Sequence, residues 1–316
     1  MNSASAIYLV GPTASGKSAV ALALAEKVRG EIISVDSMQV YRGLDIGTAK
    51  PSAEERARVP HHLLDVVELT EPFDAAKFVE LARRAETEIR DRERVPIFCG
   101  GTGLYFKAYL EGLGEAPPSD AELRKLLEST PLEELLSELS QRDPTTYERI
   151  DRQNARRVIR ALEVIRLTGK PFSEQRAEWQ SPSTLNSQPS TLLGLQRSPP
   201  DLHSRINARV DEMFARGLVE ETRALLQQGL EQNKTAMQAI GYRQVVEHLR
   251  GERSLAETIA LAKLRTRQFA KRQMTWFRRQ LEVRWIPVEP AASDSSARVA
   301  ARSRRARCCS VFCARS

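Results

Sequence analysis

The stretch IYLVGPTASGKSAVALALAEKV, residues 7 to 28, decides the fold. Its apolar start, IYLV at 7 to 10, reads as a buried strand, and the Ala- and Leu-rich run from Ser18 to about Val28 reads as a helix. Between them, GPTASGKS fits the pattern GxxxxGK[ST] at every required position. Gly11, Pro12, Thr13, Ala14, Ser15, Gly16, Lys17 and Ser18 are therefore the expected cradle of a diphosphate or a longer phosphate chain. Backbone N–H groups wrap the oxygens, the helix N-terminus adds positive partial charge, Lys17 neutralises the anion and Ser18 can ligate Mg2+. The motif leaves open which phosphate compound it holds.

Downstream the same alternation repeats. EIISVD (31 to 36), LLDVVEL (63 to 69) and VPIFCGG (95 to 101) read as strands, with helical stretches from Asp74 to Arg94 and from Leu104. Strand, turn and helix in repetition predict an α/β fold, a P-loop NTPase-like parallel sheet covered by helices that binds its ligand at the carboxyl ends of the strands. From GEAPPSD (114 to 120) the chain turns Leu-, Glu- and Arg-rich without a convincing strand, which predicts an inserted all-helical domain over 114–180. SPSTLNSQPS (181 to 190) reads as a loop, the sheet resumes at LLGLQR, and after Asp201 the chain is helical almost to Leu281. VRWIPV (283 to 288) is a last strand, so the core is expected to comprise 1–113 and 192–290, ahead of an Arg- and Cys-rich tail over 291–316.

Composition narrows the function. The net charge is +7, but residues 291 to 316 hold six arginines against one aspartate, so the total says little. Clustering says more: eight basic residues against Glu282 alone lie between Lys263 and Arg284, a pattern suited to nucleic acid. No run approaches the roughly 18 apolar residues of a membrane span, and the start of the chain shows no charged leader. Four cysteines, three of them at Cys308, Cys309 and Cys313, form neither a disulfide framework nor a zinc set. A cytoplasmic protein without a membrane or obligate protein partner is expected.

Individual residues leave alternatives open. Asp36, at the end of its strand, is placed to act as a general base or to close a turn on its own backbone. Thr102 in GGTGLY is a ligand-side residue or a helix cap. His61 and His62, adjacent on an extended segment, point to opposite faces and suit structural roles better than one metal. In NARRVIRALEVIRL the residues Ala155, Val158, Ile159, Leu162 and Ile165 make an apolar face, with Arg156 and Arg160 opposite, either gripping phosphates or facing solvent. In AKRQMTWFRRQL the apolar stripe is Ala270, Met274, Phe277 and Leu281, the polar one Gln268, Arg272, Thr275 and Arg279. Trp276 between the two suits an RNA backbone with an unstacked base.

GPTASGKS, ISVDSMQVYRGLDIGTAKPS, GGTGLY, RRVIRALEV, RINARVDEM, AIGYRQ and KRQMTWFR, in this order and spacing from about Ile7 to Pro287, resemble the bacterial tRNA dimethylallyltransferase family. The resemblance implies that the loop holds dimethylallyl diphosphate and that the N6 amine of the adenosine 3′ to the anticodon attacks C1 of the prenyl chain. The tRNAs would be those reading codons that begin with U. It implies Asp36, Arg209, Lys17 and Thr102 as catalytic residues and Mg2+ at Ser18. The tRNA anticodon stem-loop would touch Asp36, Ser37, Met38, Gln39, Thr102, Arg124, Arg156, Arg157, Val158, Ile159 and Arg160. It would also touch Gln238, Ala239, Ile240, Gly241, Tyr242 and Arg243, and then Lys271, Arg272, Gln273, Met274, Thr275, Trp276, Phe277 and Arg278. The loop at 181 to 190 and the tail depart from the family pattern. The alternatives are an adenylate isopentenyltransferase, a small-molecule P-loop kinase and a non-catalytic RNA-binding protein.

Overall fold

The computed structural model describes residues 5–113, 117–175 and 191–289; the loop expected at 181 to 190 and the tail lie outside the described residues. Six strands, β1 (Ile7–Val10), β2 (Gly30–Val35), β3 (His61–His62), β4 (Val95–Gly100), β5 (Leu192–Gln196) and β6 (Val283–Pro287), form one sheet in the order β3-β2-β4-β1-β5-β6. Every pairing is parallel, as the strand and helix alternation predicts. The helices are α1 (Lys17–Val28), α2 (Ala53–Arg58), α3 (Ala75–Asp91), α4 (Gly103–Glu111), α5 (Ala121–Ser129), α6 (Leu132–Arg142), α7 (Pro144–Arg149), α8 (Ala155–Thr168) and α9 (Phe172–Gln175). After β5 come α10 (Pro199–Ala215), α11 (Leu218–Gln227), α12 (Tyr242–Leu249) and α13 (Leu255–Gln280).

The chain divides into two compact units. The first, residues 1–72, 89–101 and 190–316, contains the sheet. Its core packs Ala21, Leu22 and Ala25 of α1 onto Leu9, Ile32, Ile97, Cys99 and Leu195 of the strands. Strands β2 and β4 are buried along almost their whole length, as expected where helices cover a parallel sheet. A second apolar cluster joins Ala14 of the loop to Leu202, Ile206 and Val210 of α10 and Ala262 and Ala270 of α13.

The second unit, residues 73–88 and 102–189, has its own helical core of Leu127, Leu135, Leu139, Val158, Ile159, Leu162 and Ile165. The face of α8 buried there is wider than its sequence pattern, taking in Glu163 and Val164 while leaving Ala155 exposed. Glu163 is fully buried and accepts from Ser119 Oγ (2.6 Å), the Asp120 N–H (3.1 Å), Arg124 (3.2 Å) and Arg160 (2.7 Å). That many donors compensate the desolvation of one carboxylate.

One strand assignment needs correction. LLDVVEL is not a strand; β3 is the His61–His62 pair just before it. Leu63 and Asp65 adopt positive φ values of 62° and 55°, which end the extended backbone, and only Val67 bridges to Tyr41 further on. Asp65 is drawn out of register by ion pairs to Lys50 Nζ (2.5 Å) and Arg56 Nη1 (2.9 Å). An apolar run with good strand composition thus yields to two specific charge contacts.

The sheet edge carries a buried carboxylate as well. Glu31 on β2, 6% exposed in its side chain, accepts from His62 Nε2 (2.7 Å) and from Arg92 through both of its oxygens (3.1 and 2.7 Å). Burial pushes its carboxyl up, but the hydrogen bonds from Arg92 and His62 outweigh it and hold the group below the ordinary 4.5. The native state therefore gains stability from ionised Glu31 above its usual titration range and loses it as pH falls through the depressed value. Glu31→Gln should cost about 2 kcal/mol at neutral pH and flatten the acid limb of the stability curve, as read by chemical denaturation across pH. An unchanged acid limb would show that other carboxylates govern it.

Candidate functional site at the phosphate loop

The loop between β1 and α1 is built by backbone conformations that few residues tolerate. Gly11 and Gly16 have φ of 153° and 95°, and Ala14 also sits at positive φ, 62°. A side chain at Gly11 would meet Ser15 Oγ at 3.0 Å and the Leu195 carbonyl at 3.2 Å. Gly11 is thus required by close approach as well as by φ, and Gly16 by φ. Ser15 is fully buried and its hydroxyl has no hydrogen-bond partner among the described residues, which leaves it available to a ligand oxygen.

Two arginines brace the carbonyls of this loop. Arg197, just past β5, donates from Nε to the Ser15 carbonyl (2.8 Å) and pairs through Nη1 with Asp201 (2.8 Å). Arg205 on α10 donates from Nε to the Ala14 carbonyl (3.0 Å). The sequence reading missed both. Position was the available signal, since Arg197 leaves the carboxyl end of the strand next to β1.

Lys17, Arg209 of α10 and Asp36 form the charged centre. Lys17 also donates to the Pro12 carbonyl (3.3 Å). Burial pulls its ammonium below the ordinary 10.5, Arg209 lowers it further, and Cys99 and Asp36 oppose the shift. Arg209 is likewise lowered by burial and held up chiefly by Asp36. Two desolvated cations beside one carboxylate leave an excess of positive charge that an anion would relieve. Asp36 Oδ1 accepts from the backbone N–H groups of Met38 (2.8 Å) and Gln39 (3.3 Å), so the turn-closing reading of this residue is correct as geometry, and it also fixes the carboxylate.

A cavity of about 520 Å³ opens at this centre, and its lining mixes polar residues, among them Lys17, Ser18, Arg205 and Arg209, with apolar ones, among them Ala21, Leu22 and Ile32. The polar lining suits phosphate and the apolar lining suits hydrocarbon. His61 donates from Nδ1 to the Val59 carbonyl (2.8 Å), and burial lowers its pKa below the ordinary 6.5, which favours the neutral ring. Cys99 is pushed up to about 11 by burial. Among the described residues no three His, Cys, Asp or Glu side chains converge as a metal set. A cation here must draw most of its ligands from phosphate and water, with Ser18, exposed in the first turn of α1, as the protein ligand; Mg2+ fits that donor set.

The segment after Asp36 is clasped from the far end of the first unit. Glu221 of α11 accepts the Ile46 N–H (3.0 Å) and the Tyr242 hydroxyl (2.5 Å), and that hydroxyl accepts the Gly47 N–H (3.0 Å). A Cβ at Gly47 would lie 2.4 Å from the Tyr242 ring. Gln39 donates to the carbonyls of Thr48 and Ala49 and accepts from Ser34 Oγ. Tyr242, Gly241 and Ala239 are thus buried, while Gln238 and Arg243 are exposed and Ile240 is half-buried.

The remaining expected contact residues differ in what they expose. On α13, Lys271, Arg272, Thr275 and Arg278 are exposed, Met274 and Trp276 are half-buried, and Gln273 and Phe277 are buried. The buried stripe is Ala270, Gln273 and Phe277, not the all-apolar one of the sequence pattern, because Gln273 finds backbone partners inside. Arg272 lies over the Phe269 ring at 5.8 Å, and Arg278 over the Trp285 ring at 5.9 Å. Part of the basic cluster is engaged within the unit: Lys263 with Asp211 (2.6 Å) and Arg267 with Asn207 (2.6 Å). In the second unit Arg156 and Arg157 are exposed and Val158 and Ile159 buried, Arg124 and Arg160 hold Glu163, and Thr102 is the N-cap residue of α4 without a side-chain capping bond.

Comparison with known proteins agrees with this architecture. The family model described as IPP transferase matches residues 39–280. A protein named tRNA dimethylallyltransferase 1 from Trichlorobacter lovleyi is 48% identical over 92% of this chain and 97% of its own length. The tRNA dimethylallyltransferase of Geobacillus kaustophilus is 47% identical over 90% of each chain. Among solved structures, the tRNA isopentenylpyrophosphate transferase of Bacillus halodurans aligns with a TM-score of 0.66 at 39% identity, covering 93% of this chain and 94% of that one. A eukaryotic dimethylallyltransferase acting on tRNA aligns with a TM-score of 0.75 at 30% identity, covering 96% of this chain and 77% of that one. With its phosphate loop, its parallel sheet and this match over most of its length, the chain belongs to the IPP transferase family.

Proposed function

We propose that this chain is a tRNA dimethylallyltransferase that moves the prenyl group of dimethylallyl diphosphate to N6 of the adenosine 3′ to the anticodon, in tRNAs reading codons that begin with U. The observation that carries the reading is the pair of half-buried cations, Lys17 and Arg209, beside Asp36 at a cavity lined by both polar and apolar residues. A diphosphate ester of a short hydrocarbon matches both kinds of lining. The residues that support a phosphate grip leave the adenine amine to be met by a carboxylate, and Asp36 is the acid placed beside them.

In the reaction the N6 lone pair attacks C1, the C1–O bond breaks, and diphosphate leaves with the bonding electrons. Asp36, held by its own turn through Oδ1, takes the N6 proton on Oδ2 as the N–C bond forms. Lys17, Arg209 and the loop N–H groups match the charge that grows on the leaving diphosphate. Mg2+ at Ser18, when bound, offsets part of that same charge. The exposed Lys271, Arg272, Thr275 and Arg278 of α13, with Arg156 and Arg157 of α8, serve as RNA contacts. No described helix is long and apolar enough to cross a membrane.

Incubation of the pure protein with Mg2+, labelled dimethylallyl diphosphate and either unmodified tRNA or AMP tests the assignment. Label is expected in tRNA alone; label in AMP would make the chain a nucleotide prenyltransferase, and turnover of ATP without either would make it a kinase or NTPase. Asp36→Ala should lower kcat by about 100-fold or more while tRNA affinity changes little. A parallel loss of tRNA binding would assign Asp36 to recognition instead. Affinity for a non-reactive donor analogue should weaken as pH rises towards the ordinary lysine value of 10.5, and begin to do so below it, because burial lowers the Lys17 ammonium, and Lys17→Met should bind weakly at every pH. A wild-type affinity flat up to that value would remove Lys17 from the phosphate grip. Arg272→Ala should weaken tRNA binding and reduce the slope of log affinity against log salt by about 1; an unchanged slope would take Arg272 out of the interface.

A further inference from the structure

Gln273 is the one buried polar residue of α13 whose side chain leaves its own helix for the phosphate loop. Its Oε1 accepts the Thr13 N–H at 2.9 Å and its Nε2 donates to the Gly101 carbonyl at 2.9 Å. One partner is an N–H and the other a carbonyl, so the amide has a single workable orientation. The residue is 8% exposed, and the bonds span 260 and 172 residues of sequence.

The neighbouring glycines are shaped to it. A Cβ at Gly101 would sit 2.3 Å from Gln273 Nε2, and one at Gly100 would sit 2.0 Å from the Val35 carbonyl. Gly100 thus lets β4 close on the end of β2, and Gly101 makes room for the amide. The same helix turns Lys271, Arg272 and Thr275 to solvent within two residues of Gln273. Nothing comparable ties the rest of α13 to the loop through side-chain bonds among the described residues, its other contact there being apolar packing of Ala262 and Ala270 around Ala14.

We infer that Gln273 is a positioning residue through which RNA held on the basic face of α13 sets the conformation of the phosphate loop, so that RNA occupancy raises affinity for the diphosphate donor. This rests on the proposed tRNA and donor reading. The amide pins the loop at Thr13, before the residues that enclose phosphate, and at the turn following β4. Anything that steadies α13 therefore steadies the entrance of the cradle, and by linkage the donor must strengthen RNA binding by the same factor. A shared helix with two rigid hydrogen bonds needs no larger movement to transmit such an effect.

The test measures affinity for a non-reactive thiolo analogue of dimethylallyl diphosphate with and without unmodified substrate tRNA. Wild-type protein should bind the analogue about tenfold more tightly when tRNA is present. In Gln273→Ala that ratio should fall to within about twofold of unity, while tRNA affinity without donor stays within about twofold of wild type. Gln273→Glu keeps an acceptor for Thr13 and loses the donor to Gly101, so it should retain the fold, show a reduced ratio and, from its added negative charge, bind the analogue more weakly than Gln273→Ala does. Hydrogen exchange at the Thr13 amide of the wild-type protein gives a readout that needs no variant: it should slow when tRNA alone is added. An unaltered ratio in Gln273→Ala, a wild-type ratio of unity, or Thr13 exchange indifferent to tRNA would overturn the inference. Prenylation of tRNA by the wild type is scored separately, so its failure would strike the functional reading and not the coupling alone.

Discussion

Everything at this site depends on drawing two cations part-way out of water beside a single carboxylate. Burial acts against the charge of both, opposed at Lys17 by Cys99 and Asp36 and at Arg209 by Asp36 and Glu212. Such a cluster is held together by the fold around it: by Gly11 and Gly16 in conformations that aim the loop, by Arg197 and Arg205 on its carbonyls, and by α10, which places Arg209 from a helix anchored through Leu202, Ile206 and Val210. The unmet charge is a form of preorganisation. Ligand binding relieves it, and the protein has little reorganisation left to do when charge develops on a leaving group.

The same economy governs the segment that carries Asp36. From Asp36 to Lys50 it has almost no regular secondary structure, yet it is tightly specified by its own turn, by Gln39, by the Tyr242 and Glu221 clasp on Ile46 and Gly47, and by Lys50, whose ammonium joins Tyr41, Asp45 and Asp65. Burial and the carboxylate of Glu221 raise the Tyr242 phenol far above its ordinary range, so it remains a donor at every accessible pH. The Asp36 carboxylate, on irregular backbone, is thereby held by several independent contacts.

The sequence made the parallel sheet and the loop legible because both are written in local patterns: an apolar strand, a full glycine-loop motif and an apolar helix. Asp36 was legible from its place at a strand end but with two readings open, and Arg209 only through resemblance, since its meaning lies in proximity to Lys17. The buried polar contacts were not legible at all. Gln273 sits in an otherwise apolar stripe, Glu163 in a helix whose pattern suggests a solvated acid, and Leu63 and Asp65 interrupt a run with good strand composition. In each case a partner far away in sequence overrides the local preference, and periodicity carries no record of that partner.

Cys99 gives the cavity one more property. Allylic diphosphates are soft alkylating agents, and a thiolate would compete with any amine for the same carbon. With its thiol pushed up to about 11, Cys99 stays overwhelmingly protonated near neutral pH, although it lines the cavity beside Lys17. On the proposed reading the cavity wall is thus chemically quiet: burial that serves packing in the sheet would also protect the protein from capture by its own electrophile.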